Sequence, residues 1–171
     1  MERLIFRELS EQVPDDIKNV QTVFDAAPQY HLLVEGRIAA SDAAIKAMSD
    51  LPPGKLRIDK IFGCYFLDSS PVGCLDIVRG YPESYIAFIG LLLFDENHQG
   101  LGFGKQAMKY ITDIAHSWQC HVLRIGVVET NSRAVKFWKR EGFSEIYRKS
   151  NHEFTGDIIV MEKHLEINQA T

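Results

Sequence analysis

This sequence has little of what a membrane or secreted protein needs. Its longest apolar stretch, Tyr85 to Phe94, is far shorter than the roughly 20 residues that span a bilayer. The first residues, MERLIFRELSEQ, lack the apolar region of a signal peptide. We therefore expect a cytoplasmic protein with no membrane association.

Cysteine is scarce and scattered. The chain has 3 cysteines, Cys64, Cys74 and Cys120, and no two of them form a CxxC pair. An odd number of separated thiols favours a reducing compartment and argues against both a disulfide framework and a structural zinc site. We expect no metal.

An excess of basic charge is also absent. Lys and Arg total 19 against 23 Asp and Glu, a net charge of −4, which argues against a nucleic-acid partner. With 46% apolar and 25% charged residues, the composition excludes disorder and fits one domain over residues 1–171.

Hydrophobic periodicity predicts an α/β chain. Pro14 followed by two acids starts a helix, and Ser41-Asp42 starts a shorter one that ends before Pro52. Three β-rich runs joined by short turns then predict an antiparallel meander, whose third run is apolar enough to lie centrally. The predicted strands cover residues 3–9, 59–68, 72–79, 84–94, 122–128, 143–148 and 157–161, and two later helices cover about 103–118 and 131–140.

The most informative segment is a glycine loop between the third β run and a helix. Glycines at 100, 102 and 104 let backbone N–H groups approach a phosphate at the start of that helix. Lys105 is followed by Gln106, which excludes a Walker A loop, and the G-x-G-x-G spacing after a meander does not fit a dinucleotide fingerprint.

The loop, Gln99-Gly-Leu-Gly-Phe-Gly104, resembles the Q/R-x-x-G-x-G/A pattern of the GCN5-related N-acetyltransferases (GNAT). A second segment, Asn131-Ser-Arg-Ala134-Val-Lys-Phe137-Trp138 through Gly142-Phe143, is similar to the family's N-x-x-A-x-x-[FL]-Y/W-x-x-x-G-F motif. The resemblance covers about residues 59–164. It implies a mixed, mostly antiparallel sheet of about seven strands with splayed central strands and about four flanking helices.

The resemblance also implies the division of the domain. Residues 1–58 would form the acceptor side, 59–164 the cofactor-binding core and 165–171 a tail. It implies acetyl-CoA as cosubstrate, with the Leu92 backbone N–H as oxyanion donor. The implied cofactor-binding residues are Leu92, Leu93, Phe94, Gln99, Gly100, Leu101, Gly102, Phe103, Gly104, Lys105, Asn131, Ala134, Phe137, Trp138 and Lys139.

Charge patterning agrees with a polyanionic cofactor on the second motif. Arg133, Lys136, Lys139 and Arg140 follow one another with no acid before Glu141. Such a cluster suits phosphate groups. For Arg140, a solvated helix face is the better interpretation.

The usual catalytic residues of the family do not transfer to this sequence. The position of the general-acid tyrosine is Trp138, whose indole does not titrate usefully, and the position of the carboxylate base is Phe88. Asp76, an acid within an apolar run, is either solvated at a strand edge or part of the acceptor site, where it would act as base or as anchor for a cation. His31, Glu35, Tyr81 and Glu83 are further candidates on the acceptor side.

Two functions remain open. The first is an acetyl-CoA-dependent N-acetyltransferase that moves an acetyl group to a primary amine by direct attack in a ternary complex. The second is a catalytically weakened relative that binds CoA as a sensor or interaction module. The acceptor remains open: it could be a small amine, an antibiotic, a peptide N-terminus or a lysine side chain. Whether the protein forms a homodimer also remains open.

Overall fold

A computed structural model describes residues 3–167 of the chain, and residues 168–171 of the predicted tail lie outside the described residues. Its seven strands are β1 (Ile5–Glu8), β2 (Lys60–Leu67), β3 (Ser70–Arg79), β4 (Ile86–Phe94), β5 (Val122–Val128), β6 (Ser144–Lys149) and β7 (Ile158–His164). Its helices are α1 (Pro14–Asp25), α2 (Pro28–Glu35), α3 (Ala43–Ser49), α4 (Phe103–Ser117) and α5 (Ser132–Arg140).

All seven strands form one mixed sheet in the order β1-β2-β3-β4-β5-β7-β6. The β4–β5 pair is parallel, and the other five neighbouring pairs are antiparallel. The expected meander β2-β3-β4 is present, and the apolar strand β4 occupies the centre of the sheet. The last hairpin inserts β7 between β5 and β6, so β6 becomes an edge strand with every residue exposed.

Helices cover both faces of the sheet. The apolar stripe of α4 packs on one face as expected, because its residues recur every three or four positions. That stripe consists of Phe103, Ala107, Met108, Ile111, Ile114 and Ala115. On the other face, α1 and α3 bury Val20, Val23, Phe24 and Met48 against Phe62, Cys64 and Cys74.

The region between the first two predicted helices contains a further helix. It is α2, which we did not predict, so five helices flank the sheet in the described part of the chain, compared with the four expected. Pro28 starts α2, Gly36 ends it at φ +74°, and no side chain caps its N-terminus. Eight residues are too few to form a stable helix alone, so α2 depends on the contacts described below.

Within residues 3–167, no helix is both long and apolar enough to cross a membrane. The same residues contain no cluster of three or more His, Cys, Asp or Glu side chains arranged to hold a metal ion.

Candidate active site

A wide cleft opens where the two central strands diverge. β4 and β5 pair from Ile86–Val122 to Ile89–Ile125, and beyond that point they no longer pair. The cleft between their C-terminal halves has a volume of about 1300 Å³ and is lined by residues of both strands, the glycine loop, α2 and α5.

Backbone N–H groups of β4 point into this cleft. Asp95, directly after β4, donates its N–H to the Val72 carbonyl on the β3 side at 2.9 Å. Since N–H groups alternate between the two sides of a strand, those of Leu92 and Phe94 point away from β3 and toward β5. With β5 splayed away, they face open space that a ligand with amide groups can fill.

The glycine loop lies beside these N–H groups and is held in place from β4. Gln99 donates its side-chain amide to the Phe94 carbonyl at 2.8 Å. Asp95, which is buried, accepts from the His98 backbone at 3.0 Å and lies 2.6 Å from the His98 ring nitrogen. Both contacts fix the turn that leads into α4.

Gly102 and Gly104 serve different needs in that loop. Gly102 precedes the first residue of α4 at φ +84°, a conformation that side chains rarely adopt, and nothing lies within 4 Å of where its Cβ would stand. A Cβ on Gly104 would approach the Phe137 ring to 2.9 Å. Gly102 therefore leaves space above the helix N-terminus, and Gly104 lets α4 and α5 pack closely. The N–H groups of the first turn of α4 have no acceptor within the helix and point at that space.

α5 contributes one face to the cleft. Arg133, Lys136, Phe137 and Arg140, which recur at helical spacing, line it, whereas Lys139 is exposed and is not among the lining residues. Asn131 caps the helix by accepting from the Ala134 N–H at 3.3 Å. Three cations on one face, close to the start of α4, suit a ligand with several negative charges.

α2 bridges the two sides of the cleft. At its start, the Gln29 N–H donates to the Glu96 carboxylate after β4 at 2.8 Å. At its end, Thr155 donates its hydroxyl to the Leu33 carbonyl at 2.6 Å and its N–H to the Val34 carbonyl at 3.0 Å. Thr130 also reaches the Leu33 carbonyl, at 3.1 Å. The helix thus ties the loop after β4 to the loops that follow β5 and precede β7.

The half of the cleft beneath α2 is rich in aromatic side chains. Tyr81 and Phe88 make an edge-to-face contact at 5.6 Å on its floor. Burial raises the pKa of Tyr30 to about 12, so that phenol is neutral at physiological pH. Such a wall suits an apolar substrate body.

The sequence was compared with known protein families and structures. A model of the acetyltransferase (GNAT) family matches residues 28–143, about two thirds of the chain. The chain belongs to the GNAT acetyltransferase family. The resemblance drawn from the two sequence motifs is confirmed.

Solved GNAT structures have the same fold. An acetyltransferase from Thermus thermophilus is 25% identical with a TM-score of 0.77, and the match covers 95% of this chain and 97% of that one. Ard1 from Thermoplasma volcanium is 19% identical with a TM-score of 0.68, covering 95% and 98%. A putative acetyltransferase from Salmonella typhimurium, solved with its cofactor acetyl-CoA, is 14% identical with a TM-score of 0.67, covering 98% and 96%. At these identities the last two show the fold alone.

Most residues expected to bind the cofactor line the GNAT cleft. They are Leu92, Leu93, Phe94, Gln99, Gly100, Gly102, Phe103, Gly104, Lys105, Asn131, Ala134, Phe137 and Trp138. Leu101 and Lys139 are exposed and are not among its lining residues. Leu101 lies on the outside of the glycine loop with 56% of its surface accessible.

The acceptor-side candidates are separated by the structure. Tyr81 lies in the cleft, whereas Glu83 is exposed in the turn before β4. His31 and Glu35 belong to α2 rather than to a connection between helices. His31 is 4% exposed and packs against Phe24, away from the cleft lining. Its nearer ring nitrogen is 3.7 Å from the Glu35 carboxylate, too long for a hydrogen bond, and burial lowers the pKa of its imidazole.

Two cleft residues were misjudged or missed. Arg140 lines the cleft, although a solvated face seemed the better interpretation, and its spacing from Arg133 and Lys136 is the signal that would have placed it there. His98, which was not a candidate, also lines the cleft. Its link to Asp95 has the i, i+3 spacing of a short capped turn.

Proposed function

We propose that this GNAT protein is an acetyl-CoA-dependent N-acetyltransferase that transfers the acetyl group to a primary amine by direct attack in a ternary complex. The observation that carries the proposal is the row of β4 N–H groups facing the gap beside the glycine loop. Acetyl-CoA has matching groups in the matching order: a polyanionic diphosphate, an arm with two amides and a thioester.

The backbone of this chain supports donor binding in three places. N–H groups at the start of α4 would bind the diphosphate, and Arg133, Lys136 and Arg140 would balance its charge. The N–H and C=O groups of the unpaired half of β4 would bind the arm like an added strand. Phe137 and Trp138 would pack against it.

The Leu92 N–H is the group that supports catalysis. It points into the gap, and there it would donate to the thioester oxygen as negative charge develops during amine attack. Removing one such donor from an enzyme typically costs about 10²–10³ in rate. The C–S bond would then break and CoA would leave as the thiol.

A primary amine as acceptor requires deprotonation. An amine with a pKa near 10.4 is only about 0.04% neutral at pH 7, so a nearby base contributes substantially to the rate. Trp138 is 3% exposed between Phe137 and Phe143, which supports a structural wall and not a proton donor. The leaving thiolate, with a pKa near 8.5, needs an acid less than the amine needs a base.

The experiment incubates the protein with acetyl-CoA and a panel of amines: a short alkylamine, an aromatic amine, a polyamine, an aminoglycoside and a peptide with a free N-terminus. Free thiol and product mass are measured together. The proposal predicts amine-dependent release of thiol in equal amount to acetylated amine.

A CoA-binding module without turnover is the second candidate, favoured by Trp138 and Phe88 at the two positions where the family often has its acid and base. It predicts CoA binding with no amine-dependent thiol release anywhere in the panel. The same experiment therefore separates the two functions.

A further inference from the structure

A bulge interrupts β4 at the floor of the acceptor half of the cleft. Asp76 on β3 pairs with Leu91, and the next residue, Ile77, pairs with Ile89, so Gly90 has no partner on β3. Gly90 is exposed and lines the cleft. Because it has no side chain, a neighbouring side chain can occupy the space where its Cβ would stand.

The carboxylate of Asp76 fills the place of that missing side chain. A Cβ on Gly90 would lie 2.7 Å from Asp76 Oδ2 and 2.9 Å from its Cγ, closer than atoms can approach. Asp76 does not itself line the cleft, and only 16% of its side chain is exposed. It meets the cleft through Gly90, whose Cβ position lies 3.4 Å from Asp76 Oδ1. An acid on β3 thus reaches the position of a β4 side chain, two residues beyond Phe88.

Lys60 holds one oxygen of this carboxylate and leaves the other without a partner. Its ammonium lies 3.2 Å from Asp76 Oδ2 and donates to the Ala47 and Asp50 carbonyls at 2.8 and 2.6 Å. All three of its protons therefore have acceptors. Asp76 Oδ1 is buried and has no hydrogen-bond partner, which is costly for a carboxylate oxygen.

We propose, on the basis of the proposed N-acetyltransferase function, that Asp76 binds the acceptor's ammonium group beside Gly90 and takes its proton. The ammonium supplies the donor that Oδ1 lacks. One ammonium proton passes to the carboxylate, and the neutral amine then forms the N–C bond. The second N–H proton goes with the departing sulfur as the C–S bond breaks. Asp76 returns its proton to water, so the cycle releases one proton.

The surroundings of Asp76 suit this role. Burial raises the pKa of its carboxyl to about 6, against the opposing effect of Lys60. The Asp50 carboxylate raises this pKa further, Arg57 lowers it, and β4 presents only Gly90 and Leu91. A carboxyl with a pKa near 6 is about nine-tenths ionised at pH 7 and accepts a proton more readily than an ordinary aspartate.

The kinetic test compares Asp76→Asn with Asp59→Asn across pH. Asp59 is a matched control, because its side chain is 13% exposed and paired with Arg79 and Lys55 away from the cleft. For the wild type, kcat/KM should fall below about pH 6, where Asp76 is protonated. We expect Asp76→Asn to lose this limb and to lower kcat/KM by about 10²–10⁴-fold at pH 7. Asp59→Asn should keep the acid limb and the wild-type kcat/KM.

A spectroscopic test begins with the wild-type protein and needs no turnover. Wild-type protein labelled with ¹³C at aspartate carboxyls and saturated with CoA is titrated with n-butylammonium, and with n-butanol as the uncharged control. A bound ammonium should lower the pKa of Asp76 by about one, and the alcohol should leave it unchanged. In the variant Gly90→Ala, shown to be folded by its far-UV circular dichroism, the new methyl should displace the carboxylate and abolish this response.

Two results would overturn the inference: an acid limb retained in an active Asp76→Asn enzyme, or an Asp76 signal that n-butylammonium does not move. Failure of the proposed function is distinct, since it would be seen as a wild-type protein that acetylates none of the amines in the panel.

Discussion

At the residue scale, Lys60 and Asp76 form an ion pair whose side chains are 1% and 16% exposed. Asp76 could be singled out because an acid within an apolar strand needs a partner or a function. Its partner Lys60 could not be identified from the sequence, because it is 16 positions away. The two residues come together only through the β2–β3 register, in which Phe62 lies opposite Asp76. The β-bulge at Gly90 could not be predicted from the sequence either, because a single glycine in an apolar run also occurs in regular strands.

Replacement of Lys60 by methionine should both destabilise the protein and raise the pKa of Asp76. The carboxylate would remain buried without its cation, and breaking a buried pair in this way costs about 3–5 kcal/mol. The midpoint of the acid limb of kcat/KM should move above pH 6, because Lys60 lowers the pKa of Asp76. Urea unfolding and a pH profile measure the two effects.

Lys46→Met is the matched control for Lys60→Met. Lys46 pairs with Asp42 at 3.0 Å on the surface, with 74% of its side chain exposed. Solvent screens such an exposed pair, so stability should change little and the acid limb should stay in place. Equal effects of the two substitutions would contradict the role given to Lys60.

Trp138→Phe should lower turnover only modestly, because Trp138 is a buried wall and not the general acid. The free energy of unfolding should fall by about 0.5–3 kcal/mol as contacts with Phe137 and Phe143 are lost. We expect kcat to fall less than about tenfold. A loss of 10²–10⁴-fold with unchanged CoA affinity would assign proton transfer to the indole position instead.

At the element scale, strongly periodic segments were predicted well and weakly patterned ones were not. The buried stripe of α4 and the start of α1 at Pro14 follow directly from spacing and proline chemistry. α2 was missed although Pro28 and Gly36 mark its two ends, because eight residues with only two buried side chains, His31 and Val34, show little periodicity. Distant loops stabilise it at both ends. The position of β7 between β5 and β6 depends on which strand of the last hairpin docks, which local sequence does not specify.

The glycine loop makes a prediction at this scale. Gly102→Val should raise the Kd for CoA by about tenfold or more, because a β-branched residue at φ +84° forces the loop out of its conformation at a cost of about 1–2 kcal/mol. Isothermal titration with CoA measures the change.

Gly54→Val supplies the control for the loop variant. Gly54 has φ +79° and no atom within 4 Å of its Cβ position, so the substitution carries the same backbone cost in a different loop. Its Kd for CoA should match that of the wild type within about twofold. If Gly102→Val, shown to be folded, binds CoA as tightly as the wild type, the loop does not bind the diphosphate.

At the scale of the whole molecule, the splay of the central strands connects fold to function. The resemblance to the GNAT family anticipated this splay, and composition alone could not have done so. What the motifs did not anticipate is the bridge that α2 makes between the loops beside the two strands. That bridge covers one side of the cleft.

The central claim is direct transfer from bound acetyl-CoA to a bound amine. It is tested most directly by initial rates measured over a matrix of acetyl-CoA and amine concentrations, with intact-protein mass recorded after incubation with acetyl-CoA alone. The account predicts double-reciprocal lines that intersect and a protein mass that does not change. Parallel lines together with a protein that gains one acetyl group would contradict it.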